Sequence, residues 1–241
     1  MPKKVEGVKK TEDKEKIKKE LEKRAKKLAE GLKEGKSLKE ELEETRKKEK
    51  ETLVNLEDYI KYGCYIGTKV ITPHMRPYVY RRRNDGIAVI NTNLIDKKLK
   101  EFIEKLSKYN PEDFIVVCKR EAGWKAVKKF SELTEVRVFT KKYPAGILTN
   151  PNLPNFFETE MVFVIDPWLD KNAIKDAKRI KKPVFAICDT NNYTFNIDEF
   201  VPSNNKSAKS IGFLIYLLTQ HYLKAKGIKK EVKIEDFVEG A

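Results

Sequence analysis

Three short apolar runs in the second half of the chain most restrict what it can fold into. They cover residues 114–118, 161–165 and 185–188, and each is rich in branched or aromatic side chains and too short for a helix. Helix-like segments separate these runs, so consecutive strands must be joined by crossovers. Strands that are apolar at nearly every position are typical of a parallel sheet covered on both faces. The pattern therefore predicts an α/β fold.

Hydrophobic periodicity predicts further elements around these strands. Helical spacing predicts helices near residues 94–106, 124–133 and 206–224, and residues 136–139 predict a fourth strand. The last helix is apolar on more than one side, so we expect it to be enclosed by the fold. The stretch 189–191 predicts a turn that closes the edge of the sheet.

Arginines flank a predicted hairpin in the first half of the folded region. Residues 78–80 and 87–90 surround Asn84, Asp85 and Gly86, a strong turn signal, so a hairpin or a bent strand is expected there. This places Arg81, Arg82 and Arg83 at its rim.

Composition divides the chain into three parts. Residues 1–52 form a charged N-terminal arm, expected to be partly helical or disordered, because residues 1–51 carry 19 Lys or Arg, 14 Asp or Glu and no aromatic residue. Residues 53–225 are predicted to form the α/β core domain. Residues 226–241 are predicted to be a polar C-terminal tail with frayed ends.

The charge balance favours a polyanionic partner. The formal net charge is +14, of which residues 1–51 contribute +5, so the core and tail keep +9. A membrane is a poor candidate partner because no apolar run approaches the roughly 20 residues of a membrane span.

Three separate cysteines and the absence of an apolar leader favour a cytoplasmic protein. Cys64, Cys118 and Cys188 form no CxxC pair, and two of them lie inside apolar runs, so they are predicted to be inert core thiols. No apolar stretch of about 7–15 residues follows the N-terminal lysines, as a secretory signal would require.

Two acids mark the ends of predicted neighbouring strands. Asp166 and Asp189 each follow a buried run, and ligands of parallel sheets bind beyond the carboxyl ends of the strands. Two carboxylates there could hold Mg²⁺ or accept a phosphoryl group. The alternative is that each accepts N–H bonds within its own turn, as Asp before Pro or Thr commonly does.

Other catalytic signals are weak. The chain contains neither GxxxxGK[ST] nor GxGxxG, and no serine lies in GxSxG. His74 lies between loop prolines and His221 lies in the last predicted helix, so neither is a convincing general base. We expect no catalytic residue, no metal and no cofactor.

Basic residues recur at the ends of the predicted elements, interspersed with Tyr and Trp. This combination suits phosphate contacts beside stacking surfaces, as RNA binding requires. The candidate RNA-binding residues are Arg76, Arg81, Arg82, Arg83, Lys119, Arg120, Lys141, Lys142, Lys206 and Lys209.

Several stretches, in this order along the chain, resemble one family. They are residues 63–68, 75–80, 83–87, 146–151, 162–167, 183–191 and 201–211. Together they are similar to small-subunit ribosomal protein two, a universal family that includes the eukaryotic laminin-receptor-precursor protein. The resemblance runs from about residue 53 to residue 227.

The resemblance favours the archaeal or eukaryotic branch. Bacterial members carry a long helical hairpin before the third sheet strand, whereas about ten residues separate Asn150 from Met161 here. Laminin binding belongs to members with a long acidic tail, which this basic chain lacks.

The resemblance implies a flavodoxin-like three-layer sandwich with a mostly parallel sheet. It also implies a non-catalytic constituent of the small ribosomal subunit that binds ribosomal RNA and neighbouring ribosomal proteins in the cytoplasm, with no membrane or small-molecule substrate.

Two other function classes stay open. One is a phosphate- or nucleotide-binding α/β module that uses Asp166 and Asp189. The other is a protein-interaction adaptor, which would attach to the ribosome independently of RNA.

Overall fold

The computed structural model describes residues 52–238. Residues 1–51 of the expected arm lie outside them, so its boundary and its conformation stay predictions. The helices are α1 (Leu56–Lys61), α2 (Thr92–Leu106), α3 (Trp124–Thr134), α4 (Lys171–Arg179) and α5 (Ala208–Ala225). The strands are β1 (Val79–Arg82), β2 (Ala88–Ile90), β3 (Phe114–Cys118), β4 (Arg137–Thr140), β5 (Met161–Val164), β6 (Val184–Cys188) and β7 (Glu199–Pro202).

Five strands form one parallel sheet in the order β4-β3-β5-β6-β7. Numbered along the chain within this sheet, the order is 2-1-3-4-5, which is the flavodoxin-like arrangement. The register aligns Val116 with Phe163, and Phe163 with Phe185. The predicted fold class is confirmed.

Each central strand is buried on both faces, because its alternate side chains enter two different cores. Phe114 and Val116 of β3 lie in the core beneath α2, α3 and α5. Ile115 and Val117 of the same strand lie in the core on the opposite face, with α4 and the loop that carries Ile147. This alternation with a period of two makes three layers.

The aromatic ring of Phe102 anchors α2 to the sheet. It lies 5.2 Å, centroid to centroid, from the rings of both Phe163 and Phe185 on neighbouring strands. Aromatic pairs at such separations stabilise a core beyond the area that they bury.

The fifth strand, β7, is an element that the sequence reading missed. It pairs with β6, so the expectation that residues 189–191 close the sheet edge is wrong. The strand is short, begins with Glu199 and ends with Pro202, a residue that edge strands tolerate because one side of the strand needs no ladder bond. Buried Glu199 pairs with Lys105 and lies 3.6 Å from Lys98, which compensates its charge.

The predicted hairpin is confirmed. β1 and β2 pair antiparallel, and Gly86 in their turn has a φ of +84°, which glycine adopts without strain. A loop links α1 to this hairpin, and an irregular connection covers residues 141–160.

Helix α5 is enclosed on several sides, as its composition predicts. Part of the enclosure comes from the C-terminal segment, where Phe237 and Val238 are buried and Phe237 packs edge-on against Tyr216 at 5.9 Å. The expectation of fraying is therefore wrong for these residues, because two apolar side chains dock on the helix.

Gly212 of α5 allows this close docking, and its replacement tests it. A Cβ at this position would stand 2.5 Å from the carbonyl oxygen of Phe237. We expect Gly212→Ala to lower the free energy of unfolding by about 1–3 kcal/mol in chemical denaturation, and to increase amide hydrogen exchange in residues 228–238.

Lys224→Ala on the exposed side of the same helix is the matched control and should change the free energy of unfolding by less than about 0.5 kcal/mol. Alanine is a better helix former than glycine. A stabilised Gly212→Ala protein would therefore show that the C-terminal segment does not dock.

Candidate nucleic-acid interface

Six of the ten candidate RNA-binding residues follow the carboxyl ends of the sheet strands. Lys119 and Arg120 follow β3, Lys141 and Lys142 follow β4, and Lys206 and Lys209 follow β7. Because the strands are parallel, these ends share one edge of the sheet. Of these six residues, Arg120 is half-buried and the five lysines are exposed. The fold thus brings separate sequence positions onto one basic rim.

The remaining candidates lie on and beside the hairpin. Arg76, Arg81 and Arg82 line one groove of about 700 Å³. Arg83 shares a second groove of about 440 Å³ with Arg81 and Arg82. The sequence did not show that Arg76 lies beside Arg81 and Arg82.

Backbone contacts tie this hairpin to the same edge of the sheet. Thr190 is the second residue after β6, and its Oγ1 accepts a hydrogen bond of 2.8 Å from the Thr68 amide. The Thr72 amide donates to the carbonyl oxygen of Thr190 at 2.9 Å. Gly67 permits this approach, since a Cβ there would stand 2.5 Å from the Thr190 side chain. Hairpin and rim are therefore parts of one basic surface.

Two of the candidate cations are paired with buried acids. Arg120 donates to Asp166 Oδ2 from both Nε and Nη2, with an Nε distance of 3.2 Å. Lys206 Nζ lies 3.4 Å from Asp189 Oδ2 and donates to Asn191 Oδ1 at 3.2 Å. Their charges balance carboxylates inside the protein, so they have less charge to offer an external phosphate than the exposed lysines and arginines have.

Asp166 and Asp189 lie after neighbouring strands, as predicted, but both are almost completely buried, at 2% and 1% exposed. Asp166 Oδ1 accepts from the Trp168 amide at 3.0 Å. Asp189 Oδ1 accepts from the Thr190 amide at 2.6 Å, and burial raises the pKa of Asp189. Each carboxylate thus accepts bonds within its own turn, the geometry of a structural rather than a phosphate-binding acid.

Two asparagines connect these turns to the last helix. Asn192 Nδ2 donates to Asp166 at 3.4 Å, while its Oδ1 accepts from the Asp189 amide at 2.7 Å. Asn205 Nδ2 donates to that same Oδ1 at 3.0 Å and to the carbonyl oxygen of Ile187 at 3.1 Å. Asn204 Oδ1 accepts from the Lys206 amide at 2.9 Å, at the predicted entry to α5. Together these bonds fix the loops that carry the basic rim.

Asp170 is a third buried acid at this edge. Its Oδ1 accepts from the Lys119 amide at 3.2 Å, but within residues 52–238 no donor reaches its Oδ2. Burial is the main cause that raises the pKa of Asp170 to about 7.

The described residues offer little for metal or thiol chemistry. Within residues 52–238, no group of three or more His, Cys, Asp or Glu is placed to hold a metal ion. All three cysteines are free and buried, and burial raises the pKa of Cys64 and of Cys118 to about 12. The predicted placement of these thiols in the core is confirmed. None of the helices in this part of the chain is long and apolar enough to cross a membrane.

Comparison with known proteins agrees with this architecture. A profile of the family described as "Ribosomal protein S2" matches residues 56–159 and 152–225, nearly all of the folded part. The chain belongs to the ribosomal protein S2 family. The family predicted from the sequence motifs is thus confirmed.

Archaeal members of the ribosomal protein S2 family are similar over most of their length. "Small ribosomal subunit protein uS2" of Nanoarchaeum equitans is 38% identical, over 78% of this chain and 96% of the relative. The protein of the same name from Ignicoccus hospitalis is 40% identical, over 76% of this chain and 87% of the relative. The protein of that name from Thermoplasma acidophilum is 36% identical, over 74% of this chain and 90% of the relative.

Ribosomal protein S2 motifs form the inner support of the basic surface. The stretch 183–191 contains Asp189, and the stretch 201–211 contains Asn205. The Asp189 amide and the Asn205 side-chain amide both donate to Asn192 Oδ1. The stretch 63–68 contains Gly67 and Thr68, which meet Thr190.

An exposed aromatic cluster is the feature that sequence reasoning missed. Trp168, Tyr193 and Phe195 are all exposed, and they line one groove with Lys171 and Lys175. A usable signal existed, since large aromatic residues in Asn-rich and Pro-containing turns have no strand or helix face to fill.

The ion pair between Arg120 and Asp166 can be tested by removing the carboxylate charge. Asp166→Asn leaves Arg120 without its counter-ion, so we expect the free energy of unfolding to fall by about 3 kcal/mol. Glu160→Gln, which breaks the exposed pair with Lys182 at 2.8 Å, is the control and should cost less than about 1 kcal/mol. Equal losses in urea denaturation would contradict a structural role for Asp166.

Asp170 makes stability depend on pH. The folded state holds its proton up to about pH 7, whereas the ordinary pKa of Asp is 3.8, so the folded state binds more protons between these values. The free energy of unfolding contributed by this group therefore falls as pH rises from about 4 to about 7. In denaturation curves recorded between about pH 4 and pH 7, Asp170→Asn should remove this group's share of the fall in the free energy of unfolding. Asp236→Asn, which replaces an exposed carboxyl, should leave that fall unchanged. An unchanged decline in Asp170→Asn would refute the assignment.

Proposed function

We propose that the chain is a structural constituent of the small ribosomal subunit, where it binds ribosomal RNA and neighbouring ribosomal proteins during translation. The family match over nearly the whole folded region carries this proposal. The relatives that cover most of the chain are all named as proteins of the small ribosomal subunit. Ribosomal association supplies the polyanionic partner that the net charge of +14 favours.

The basic surface is the proposed RNA contact. We assign the main phosphate contacts to the exposed cations without a buried counter-ion, and give Arg120 and Lys206 a smaller share because buried acids balance their charges. The exposed candidates that pair with no buried acid among the described residues are Arg76, Arg81, Arg82, Arg83, Lys119, Lys141, Lys142 and Lys209. Such contacts contribute little singly and much together, through the release of counter-ions from RNA.

The protein has no catalytic part in this proposal, and no cofactor or small-molecule substrate. The two acids that a nucleotide-binding module would use are buried and already bonded within the fold. No contact in the described residues favours that alternative over a structural role.

Sedimentation tests the proposed function directly. The full-length protein should co-sediment with small subunits in a sucrose gradient at moderate salt. Sedimentation only as free protein would overturn the proposal. Attachment that survives removal of the RNA would instead favour a protein-interaction adaptor.

Charge reversal on the hairpin tests the RNA contact. Arg81→Glu combined with Arg82→Glu removes two cations from one groove, so binding to purified small-subunit RNA should weaken. The slope of log binding constant against log salt should become shallower by about two, roughly one for each lost phosphate contact.

The matched control is Lys108→Glu with Lys181→Glu. These exposed lysines precede the amino ends of β3 and β6, the opposite edge of the sheet, and they change the net charge equally. The control should keep the wild-type salt slope, and Asp166→Asn should weaken binding less than the hairpin variant does. Equal weakening by both charge reversals would mean that only net charge matters.

A further inference from the structure

An exposed aromatic groove lies beside the basic surface and is not explained by phosphate binding. We define the aromatic groove by Trp168, Tyr193 and Phe195, whose side chains are 55%, 57% and 75% exposed. With its other lining residues it encloses about 270 Å³. Three large aromatic side chains exposed along one groove are the kind of surface that a binding partner covers.

The aromatic groove is built on turns that hydrogen bonds hold in place. Asp166 accepts from the Trp168 amide at 3.0 Å, and Asn192 bonds to both Asp166 and Asp189 just before Tyr193. The Thr194 hydroxyl lies 3.1 Å from His74 Nδ1, in the loop that precedes Arg76. An aromatic site on fixed turns loses little conformational entropy when it binds a partner.

Two lysines give the aromatic groove its charge. Lys171 and Lys175 lie one turn apart on α4, on the same side as the groove. Of the nine described residues that line it, none is Asp or Glu. A segment with carboxylates would therefore be attracted to this rim, and one with lysines would be repelled.

The lining favours a protein segment over a nucleotide. The Lys171 ammonium lies 3.9 Å from the centre of the Trp168 ring, so one ring face that a base would stack on is already covered by a cation. No arginine is among these nine lining residues, whereas arginines line the two grooves of the hairpin. Interfaces between proteins are enriched in Trp, Tyr and Phe at their centres, where a few large apolar side chains supply most of the affinity.

We propose that the aromatic groove binds an acidic segment of a neighbouring protein in the small subunit. One large apolar side chain of that segment inserts between Trp168, Tyr193 and Phe195, and its carboxylates pair with Lys171 and Lys175. This proposal rests on the proposed function, since it takes the partner from the assembled subunit.

Photo-cross-linking in the assembled subunit tests the proposal. Phe195→benzoylphenylalanine places the cross-linker in the aromatic groove, and Tyr80→benzoylphenylalanine places one on the hairpin beside Arg81 at similar exposure, 71% for the native tyrosine. After irradiation, mass spectrometry identifies the attached peptide or nucleotide. We expect position 195 to link to a peptide that contains Asp or Glu beside an aromatic or large aliphatic residue, and position 80 to link to RNA.

Each other result at position 195 overturns the proposal. A link to RNA would make the groove a nucleotide site, a link to another residue of the same chain would make it an internal contact, and no link in assembled subunits would leave it uncovered. Position 80 tests the proposed function separately. If the subunit assembles but position 80 does not link to RNA, that result counts against the proposed RNA contact and leaves the proposal for the aromatic groove untouched.

Charge variants then test the role of the two lysines. Lys171→Glu with Lys175→Glu should lower the peptide cross-link yield at position 195 at least fivefold, whereas Lys171→Arg with Lys175→Arg should retain it. Both lysines are exposed, so the variants should fold as the parent does. An unchanged yield in the glutamate variant would contradict recognition of an acidic segment.

Discussion

Burial of the parallel strands on both faces is the constraint on which the rest of this structure depends. Successive residues of β3 enter opposite cores, so every position of the strand must be apolar and both faces must be covered. Helices α2, α3 and α5 cover one face, while α4 and the loop with Ile147 cover the other. The central strands β3, β5 and β6 accordingly carry no charged side chain, and the loops at their carboxyl ends carry the chemistry.

At that edge, acids lie inside and most cations lie outside. Asp166, Asp170 and Asp189 are buried and hold turns through backbone amides, and Arg120 and Lys206 compensate two of them. Because these acids accept hydrogen bonds from backbone amides of neighbouring turns, the loops keep fixed positions. The exposed lysines and arginines on the same loops can then face a large polyanion together, as a constituent of the ribosome requires.

Two kinds of surface meet at this edge. The hairpin grooves are lined by arginines, which suit phosphate because their guanidinium groups present a planar fork of donors. On the other side of the contact between His74 and Thr194 lies the aromatic groove, whose lining is mainly carbon. This contrast in chemistry within one edge fits a protein that contacts both RNA and neighbouring proteins.

The sequence by itself determined the fold class, the family and most of the elements, because buried strands, helical spacing and turn residues are local patterns. It could not predict β7, since Glu199 and Pro202 look unlike a strand until β6 and the lysines of α2 are beside them. It also could not tell Arg120 from Lys119, because only the fold places the buried carboxylate of Asp166 against one of the two. Likewise, Trp168 and Phe195 are 27 positions apart, and only the parallel pairing of β5 and β6 brings their loops together. Tertiary structure decided these points because each depends on charge pairing or burial between residues far apart in the chain.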